Sequence, residues 1–212
     1  MLFRSIPLDD DELFAGNPDA ADTLVVFGDF QCHACRELHL VLQRVAAKYP
    51  ARVRVAFRYF PQDPECNPKP RWSLGGNASA CRAARAAEAA RVVGGRDVYL
   101  AMRELLWERQ DQLPRRPFAQ QDAREQQLLA DWAAELGLDR AAFTAALDSP
   151  AVAARIQRDV ALGARLDLTA MPVVYVNGKR FRNWSKLETW DLILGGAATV
   201  ATPAASAPAA PQ

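Results

Sequence analysis

The sequence predicts an α/β fold: a four-stranded mixed sheet flanked by helices, with a large helical insertion between the second and third strands. Three observations carry this. Residues 23–60 read strand, helix, strand; residues 78–167, approximately, read as helix throughout; residues 171–195 read as a strand pair and a closing helix. The predicted division is an extended lead-in over 1–22, one domain over 23–196, and an Ala/Pro tail over 197–212 expected to be disordered.

The lead-in is polar and carries the acidic run Asp9, Asp10, Asp11, Glu12. "TLVVFG" (23–28) is a short β-branched run closed by glycine, the pattern of a buried strand. From His33 to Lys48, Leu38, Val41, Leu42 and Val45 recur at helical spacing, and Pro50 stops the helix. "RVRVAFRYF" (52–60) is the second strand. A crossover helix joins it to the first, so the two should be parallel.

A proline-rich loop, "PQDPECNPKPRW", leads into five helices. Asn77 is a plausible cap for the first, and Gly94-Gly95 ends it. "DVYLAMRELLWERQ" is the second, broken by "LPRRPF", and "DAREQQLLADWAAEL" is the third, closed by Gly137. Asp139 caps a short fourth, and Ser149-Pro150 opens the fifth as N-cap and first-turn proline. "MPVVYVNGKRF" (171–181) holds two apolar runs around Asn177-Gly178, a turn pair suited to positive φ and so to a hairpin. Ser185 to Glu188 reads as a capping box for a last helix, ended by Gly195-Gly196. Trp107, Trp132, Trp184 and Trp190 read as packing residues, the Arg-rich segment 82–91 as a solvated face, and His39 as a surface residue.

The totals narrow the function. The chain has 212 residues, half of them hydrophobic, enough for one sizeable core. A net charge of +1 gives no basis for binding nucleic acid or an anionic membrane surface. No run of 18 apolar residues occurs, so no membrane span is expected. "MLFRSIPLDDDELF" lacks the apolar core of a secretion signal. Two compartments follow: cytoplasmic if Met1 is the native start, extracytoplasmic (periplasm or cell envelope) if a leader or anchor was trimmed.

The chemistry centres on "FGDFQCHACREL" (27–38). Cys32 falls where the strand has ended and the helix begins. Unpaired N–H groups and the helix dipole stabilise a thiolate there, placing its pKa below the free value of about 8.5. Cys35 lies one turn further on, within reach for a small disulfide. Cys32 is then the exposed nucleophile, and the more buried Cys35 resolves the mixed disulfide. His33 between them either tunes the pair, by favouring the thiolate, or simply faces solvent. Asp29 either accepts a proton during exchange or, the reading preferred here, caps the helix. Pro172 is either a cis-proline or an ordinary strand-starting trans proline. In a sheet of this order its loop faces the start of the first helix, where the Met171 backbone can pair with an extended substrate.

Taken together, the strand, "CHAC" at a helix start, the helical insertion and "MPVVYVNG" resemble the thioredoxin superfamily, specifically its DsbA-like thiol-disulfide oxidoreductases. "FGDFQCHACREL" looks like that group's F-x-D-[FY]-x-C-P-x-C segment. "FRYFPQDPECNPKPRWSLGGNASACRAARAAEAA" resembles thioredoxin-like domains linked to vitamin K epoxide reductase-type membrane proteins. The resemblance covers residues 17–195, roughly. It implies a thioredoxin fold, Cys32 as attacking thiol, Cys35 as resolving thiol and Pro172 as cis-proline. It further implies protein substrates bearing thiols or disulfides, no dissociable cofactor, and a quinone-linked membrane redox partner. Two departures stand out: His33 replaces the usual proline after the first cysteine, and Met171 replaces the usual Val, Thr or Ile before the cis-proline.

In the related domains, Cys66 and Cys81 look like a second disulfide. Such a bond would close a short loop and stabilise by about 3 kcal/mol on the loop-entropy estimate. Two free buried thiols, or a relay exchanging with Cys32–Cys35, are the alternatives. A zinc site of all four cysteines fits poorly, because the second pair is spread over fourteen intervening residues. Haem attachment requires histidine where Arg36 stands. The expected activity is therefore disulfide exchange, as an oxidant. A reductase or isomerase on the same fold competes with it. A non-enzymatic zinc or interaction module is the more distant competitor, as is a kappa-type glutathione enzyme, a lineage that typically has serine at position 32.

Overall fold

The computed structural model describes residues 6–9, 12–68, 78–114 and 121–195. Asn77, Gly196 and the tail 197–212 lie outside them, so the expectations placed there have no structural counterpart here. The elements are β1 (Phe14–Gly16), β2 (Asp22–Gly28), α1 (His33–Lys48), β3 (Val53–Tyr59), α2 (Ala80–Glu108), α3 (Gln121–Glu135), α4 (Arg140–Leu147), α5 (Pro150–Arg165), β4 (Val173–Val176), β5 (Lys179–Phe181) and α6 (Leu187–Trp190). A 3₁₀ turn over Gln110–Gln112 follows α2, and a π turn over Asp191–Gly195 follows α6.

The sheet order is β1-β3-β2-β4-β5. β2 and β3 are parallel, from Asp22 opposite Val53 to Gly28 opposite Tyr59, as the α1 crossover requires. β4 runs antiparallel to β2 and turns back into β5 through Asn177 (φ 49°) and Gly178 (φ 78°), the hairpin expected of that dipeptide. Because side chains alternate along a strand, β2 divides its residues between two cores. Leu24 and Val26 pack under α1 and α2, whereas Val25 and Phe27 face Leu162 and Leu168 at the end of α5. This is the thioredoxin fold, with its helical insertion between β3 and β4.

The sheet has one strand more than expected. Part of the lead-in forms β1, antiparallel to β3. Three residues give too short a run for periodicity to register, and the anchoring is electrostatic. Arg58 on β3, 1% exposed, meets Asp9 at 2.6 Å and Asp159 of α5 at 3.0 Å, and also pairs with Glu12. Arg155 of α5 pairs with Asp9 as well. Two acidic residues of the lead-in thus compensate buried arginines, whose isolation would be costly.

Three further local readings change. Gly95, at φ 76° and ψ −163°, breaks α2 into two helical segments without a loop, so the expected helix end is a kink. The Arg-rich stretch is sheathed rather than solvated: seven alanines between Ala80 and Ala90 are buried, and Arg82 and Arg85 lie half-buried towards Asp148 and Glu65. Ser185 caps nothing. α6 begins at Leu187, and Thr189 Oγ1 donates to the Asn183 and Lys186 carbonyls within that turn. By contrast, Asp139 and Ser149 cap α4 and α5 as expected, accepting from the N–H groups of Ala142 (2.8 Å) and Val152 (3.3 Å). Among the described residues, no helix is long and apolar enough to cross a membrane.

Candidate active site

β2 delivers the chain to the C-terminal edge of the sheet, and a tight turn feeds it into α1. Cys32 is the N-cap of α1: its carbonyl accepts from the N–H of Cys35 (3.1 Å) and Arg36 (3.2 Å), and its own N–H donates to the Asp29 carbonyl (3.0 Å). Its sulfur is half-buried at the open end of the helix. Hydrogen bonding from the Cys35 thiol lowers the Cys32 pKa below that of an ordinary thiol. Burial opposes this, while the N–H groups of Cys35 and Ala34 add to it. Cys35 is 3% exposed, and burial pushes its thiol well up, with the neighbouring Cys32 charge adding to the effect. Both thiols are reduced. The two sulfurs therefore differ in the sense needed for an attacking and a resolving thiol.

The loop before β4 closes the other side. Met171–Pro172 is a cis peptide, and the Cys32 thiol points at the Met171 carbonyl, 3.9 Å away. Residues 139 positions apart are thus brought face to face, as the sheet order implied. His33, the first residue of α1, is exposed. Cys66 and Cys81 are joined as a disulfide, with Cα atoms 5.5 Å apart, and both are buried in the main core. Two of the four thiols are thereby consumed, so a four-cysteine zinc centre is not assembled. Among the described residues, no three His, Cys, Asp or Glu side chains cluster as metal ligands.

Asp29 does not cap α1. It is 2% exposed, and its carboxylate accepts from the N–H of Gln31 (2.7 Å) and of Gln62 (2.8 Å) in the loop after β3. It braces the active-site turn against that loop. The cap position it was expected to fill is Cys32 itself, with no side-chain cap. His39 is half-buried at the surface rather than free in solvent. Its ring stacks on Trp107 with centroids 5.5 Å apart, and Nε2 lies 2.9 Å from Glu104 Oε2 across the α1–α2 contact.

Two buried glutamines complete the scaffold. Gln31, 1% exposed, accepts from the Ser79 N–H (2.7 Å) and donates to the Pro114 carbonyl (2.7 Å). Gln110, in the 3₁₀ turn of the insertion and fully buried, donates from Nε2 to the carbonyls of Phe30 (2.6 Å) and Cys32 (3.1 Å). Gln31 sits beside Cys32 in the sequence, so proximity could have flagged it. Gln110 is 78 positions away, and nothing in its local pattern distinguishes it.

Comparison with known proteins places this geometry in context. The family model described as Thioredoxin matches residues 9–195. The chain is 32% identical over 179 residues to the Na(+)/H(+) antiporter NhaA of Herminiimonas arsenicoxydans, covering 84% of this chain and 24% of that protein. It is 31% identical over 192 residues to Na(+)/H(+) antiporter NhaA 1 of Mycolicibacterium gilvum, covering 90% of this chain and 26% of that protein. The chain thus spans about a quarter of the length of the curated relatives it matches. Among solved structures it is similar to alpha-DsbA1 of Wolbachia pipientis, with TM-score 0.70, 17% identity, and 90% of this chain and 92% of that one covered. Oxidised BdbD from Bacillus subtilis gives TM-score 0.67 at 21% identity, covering 87% and 94%. A thioredoxin-like oxidoreductase from Silicibacter pomeroyi gives 0.64 at 26% identity, covering 90% and 95%.

Proposed function

This chain belongs to the thioredoxin family matched over residues 9–195, and from that premise we propose that it exchanges a Cys32–Cys35 disulfide with protein thiols, acting as an oxidant. One observation carries the reading: the Cys32 thiol stands at the open start of α1, opposite the carbonyl that precedes the cis-proline. A substrate thiolate attacks Cys32 Sγ of the oxidised enzyme. Cys35 leaves as a thiolate and takes up a proton. A second substrate thiolate then attacks the substrate sulfur of the mixed disulfide, forming the substrate disulfide and releasing Cys32 as a thiolate. The Met171 backbone and Pro172 hold the extended substrate by strand-like pairing, and His33 tunes the pair.

The lowered Cys32 pKa supports the oxidising direction, since stabilising the reduced form makes the oxidised form the stronger oxidant. Reoxidation requires an electron acceptor, which we assign to a quinone-linked membrane partner. The Cys66–Cys81 disulfide fits an extracytoplasmic setting. In this reading it is a structural staple rather than a relay. The antiporter names belong to relatives of which this chain covers only about a quarter, and no transport activity is assigned to this chain.

A glutathione redox titration of Cys32–Cys35 tests the direction. A potential nearer the roughly −120 mV of a strong oxidant supports the proposal, whereas one near −270 mV makes the chain a reductase. Cys32→Ser should abolish dithiol oxidation, and Cys35→Ser should trap mixed disulfides with substrate. Full activity in Cys32→Ser would refute the mechanism.

A further inference from the structure

The exchange chemistry requires the Cys35 thiol to lose and regain a proton, yet Cys35 is almost wholly buried. Its side chain forms part of the wall of a cavity of about 100 Å³ between α1, the sheet and the second half of α2. That volume has room for a short chain of waters, which need polar partners to be stable. The side chains of the sheet supply none: Ala15, Val26, Val55 and Phe57 are apolar. Among the described residues, the titratable groups on the wall besides Cys35 are His39, Arg103 and Glu104.

His39 lies four residues after Cys35, on the same face of α1. With Gln43, Glu104 and Trp107 it also lines a surface groove of about 270 Å³, so these four residues form the wall shared by cavity and groove. Glu104 accepts from Gln43 at 2.9 Å and fixes His39 Nε2 at 2.9 Å. A carboxylate holding one ring nitrogen leaves the other to exchange protons. Burial works against the Glu104 charge, but His39, Arg103 and Gln43 hold its carboxyl below the usual range. Arg103, stacked over Phe57 at 4.8 Å, has no acceptor to offer. On the groove side, Arg36 and Glu108 are the other charged groups near the ring. Asp29 is not on the cavity wall, and both its oxygens already accept backbone N–H groups.

We propose that the buried Cys35 thiol exchanges its proton with His39 through water in this cavity, with Glu104 as the positioning residue. When Cys35 attacks a mixed disulfide at Cys32, the Cys35 S–H bond breaks and its proton passes to the imidazole. The Cys32–Cys35 bond forms, and the leaving sulfur departs as a thiolate. In the opposite direction the imidazolium returns the proton to the departing Cys35. The inference rests on the disulfide-exchange reading above.

The test is single-turnover resolution of a preformed Cys32–glutathione mixed disulfide, followed from pH 5 to 9 in wild type, His39→Gln, His39→Ala and Glu104→Gln. General acid–base assistance is worth typically 10²–10⁴-fold when direct, and relay through water should leave about tenfold or more. His39→Gln should therefore resolve about tenfold more slowly near pH 6.5, with the difference vanishing by about pH 9 as hydroxide takes over. Added imidazole should rescue His39→Ala, a readout that a purely structural role would not move. Resolution at the wild-type rate in both His39 variants, or slowing that is equal at every pH and untouched by imidazole, overturns the proposal. Failure of glutathione to form a mixed disulfide at Cys32 in Cys35→Ser would instead remove the parent reading.

Discussion

The residue that most directly joins the helical insertion to the chemistry is Gln110, so Gln110→Ala is the sharpest perturbation of the scaffold. The Cys32 carbonyl keeps its two helical donors, the N–H groups of Cys35 and Arg36, when the amide is removed. The Phe30 carbonyl loses the 2.6 Å bond, and Phe30 is 1% exposed. An orphaned buried acceptor costs about 1–3 kcal/mol, and the void left by a fully buried side chain adds to that. A total of about 2–4 kcal/mol corresponds to a fall in Tm of roughly 5–15 °C for a domain of this size. Gln110→Leu fills the volume without restoring the donor and should recover only the void's share. The assay is thermal unfolding of the reduced protein, with iodoacetamide labelling of Cys32 recorded alongside. Both variants should label Cys32 more slowly at pH 6, because the turn that presents the sulfur to the helix N–H groups is loosened. If Gln110→Leu unfolds with the parent and labels at the parent rate, the clamp is not what holds the turn.

Two further outcomes follow from the site. The folded-state pKa of Cys32 is depressed below the unfolded value of about 8.5. Its contribution to the stability of the reduced protein is therefore complete above that value and lost as pH falls through the folded pKa. Urea unfolding of reduced against oxidised protein should show the reduced form losing ground between about pH 8.5 and the folded pKa; a constant difference across that range would contradict a stabilised thiolate. At Gly28, an added Cβ would meet Phe57 Cε2 at 2.9 Å and Cys35 Sγ at 3.7 Å. Gly28→Ala should thus cost about 1–3 kcal/mol by overpacking, read as a Tm lowered by roughly 2–12 °C, and an unchanged Tm would show that the aromatic cluster yields freely.

How much of this was legible in the sequence depends on the range over which each feature is encoded. The β2–α1–β3 unit, the Asn177-Gly178 hairpin and the caps at Asp139 and Ser149 are written within a few residues, and the structure has them where local chemistry put them. The facing of Cys32 and Met171 was legible only through topology: a parallel pair and a closing antiparallel strand leave that loop nowhere else to go. Strand β1 was not legible, because the lead-in is held through Asp9 by Arg58 and Arg155, which lie 49 and 146 positions away in sequence. Asp29 and His39 were misread for the same reason. Each was assigned the nearest local task, capping or solvation, whereas each bonds across an interface, to Gln62 and Glu104 respectively.

These misreadings share a physical logic. A cysteine at an N-cap leaves the helix start without a side-chain cap, so the backbone of that turn must be fixed by other groups if its N–H dipoles are to stay aimed at sulfur. The structure recruits them from three directions: Asp29 ties the turn to the loop after β3, Gln31 ties it to Ser79 and Pro114, and Gln110 ties it to the end of α2. Each anchor is itself buried, so none can be released without stranding a polar group. The helical insertion then has a definite job near the thiols. It supplies the donors and acceptors that a helix with a cysteine at its N-cap cannot supply for itself, and it walls off Cys35 while leaving Cys32 half-exposed.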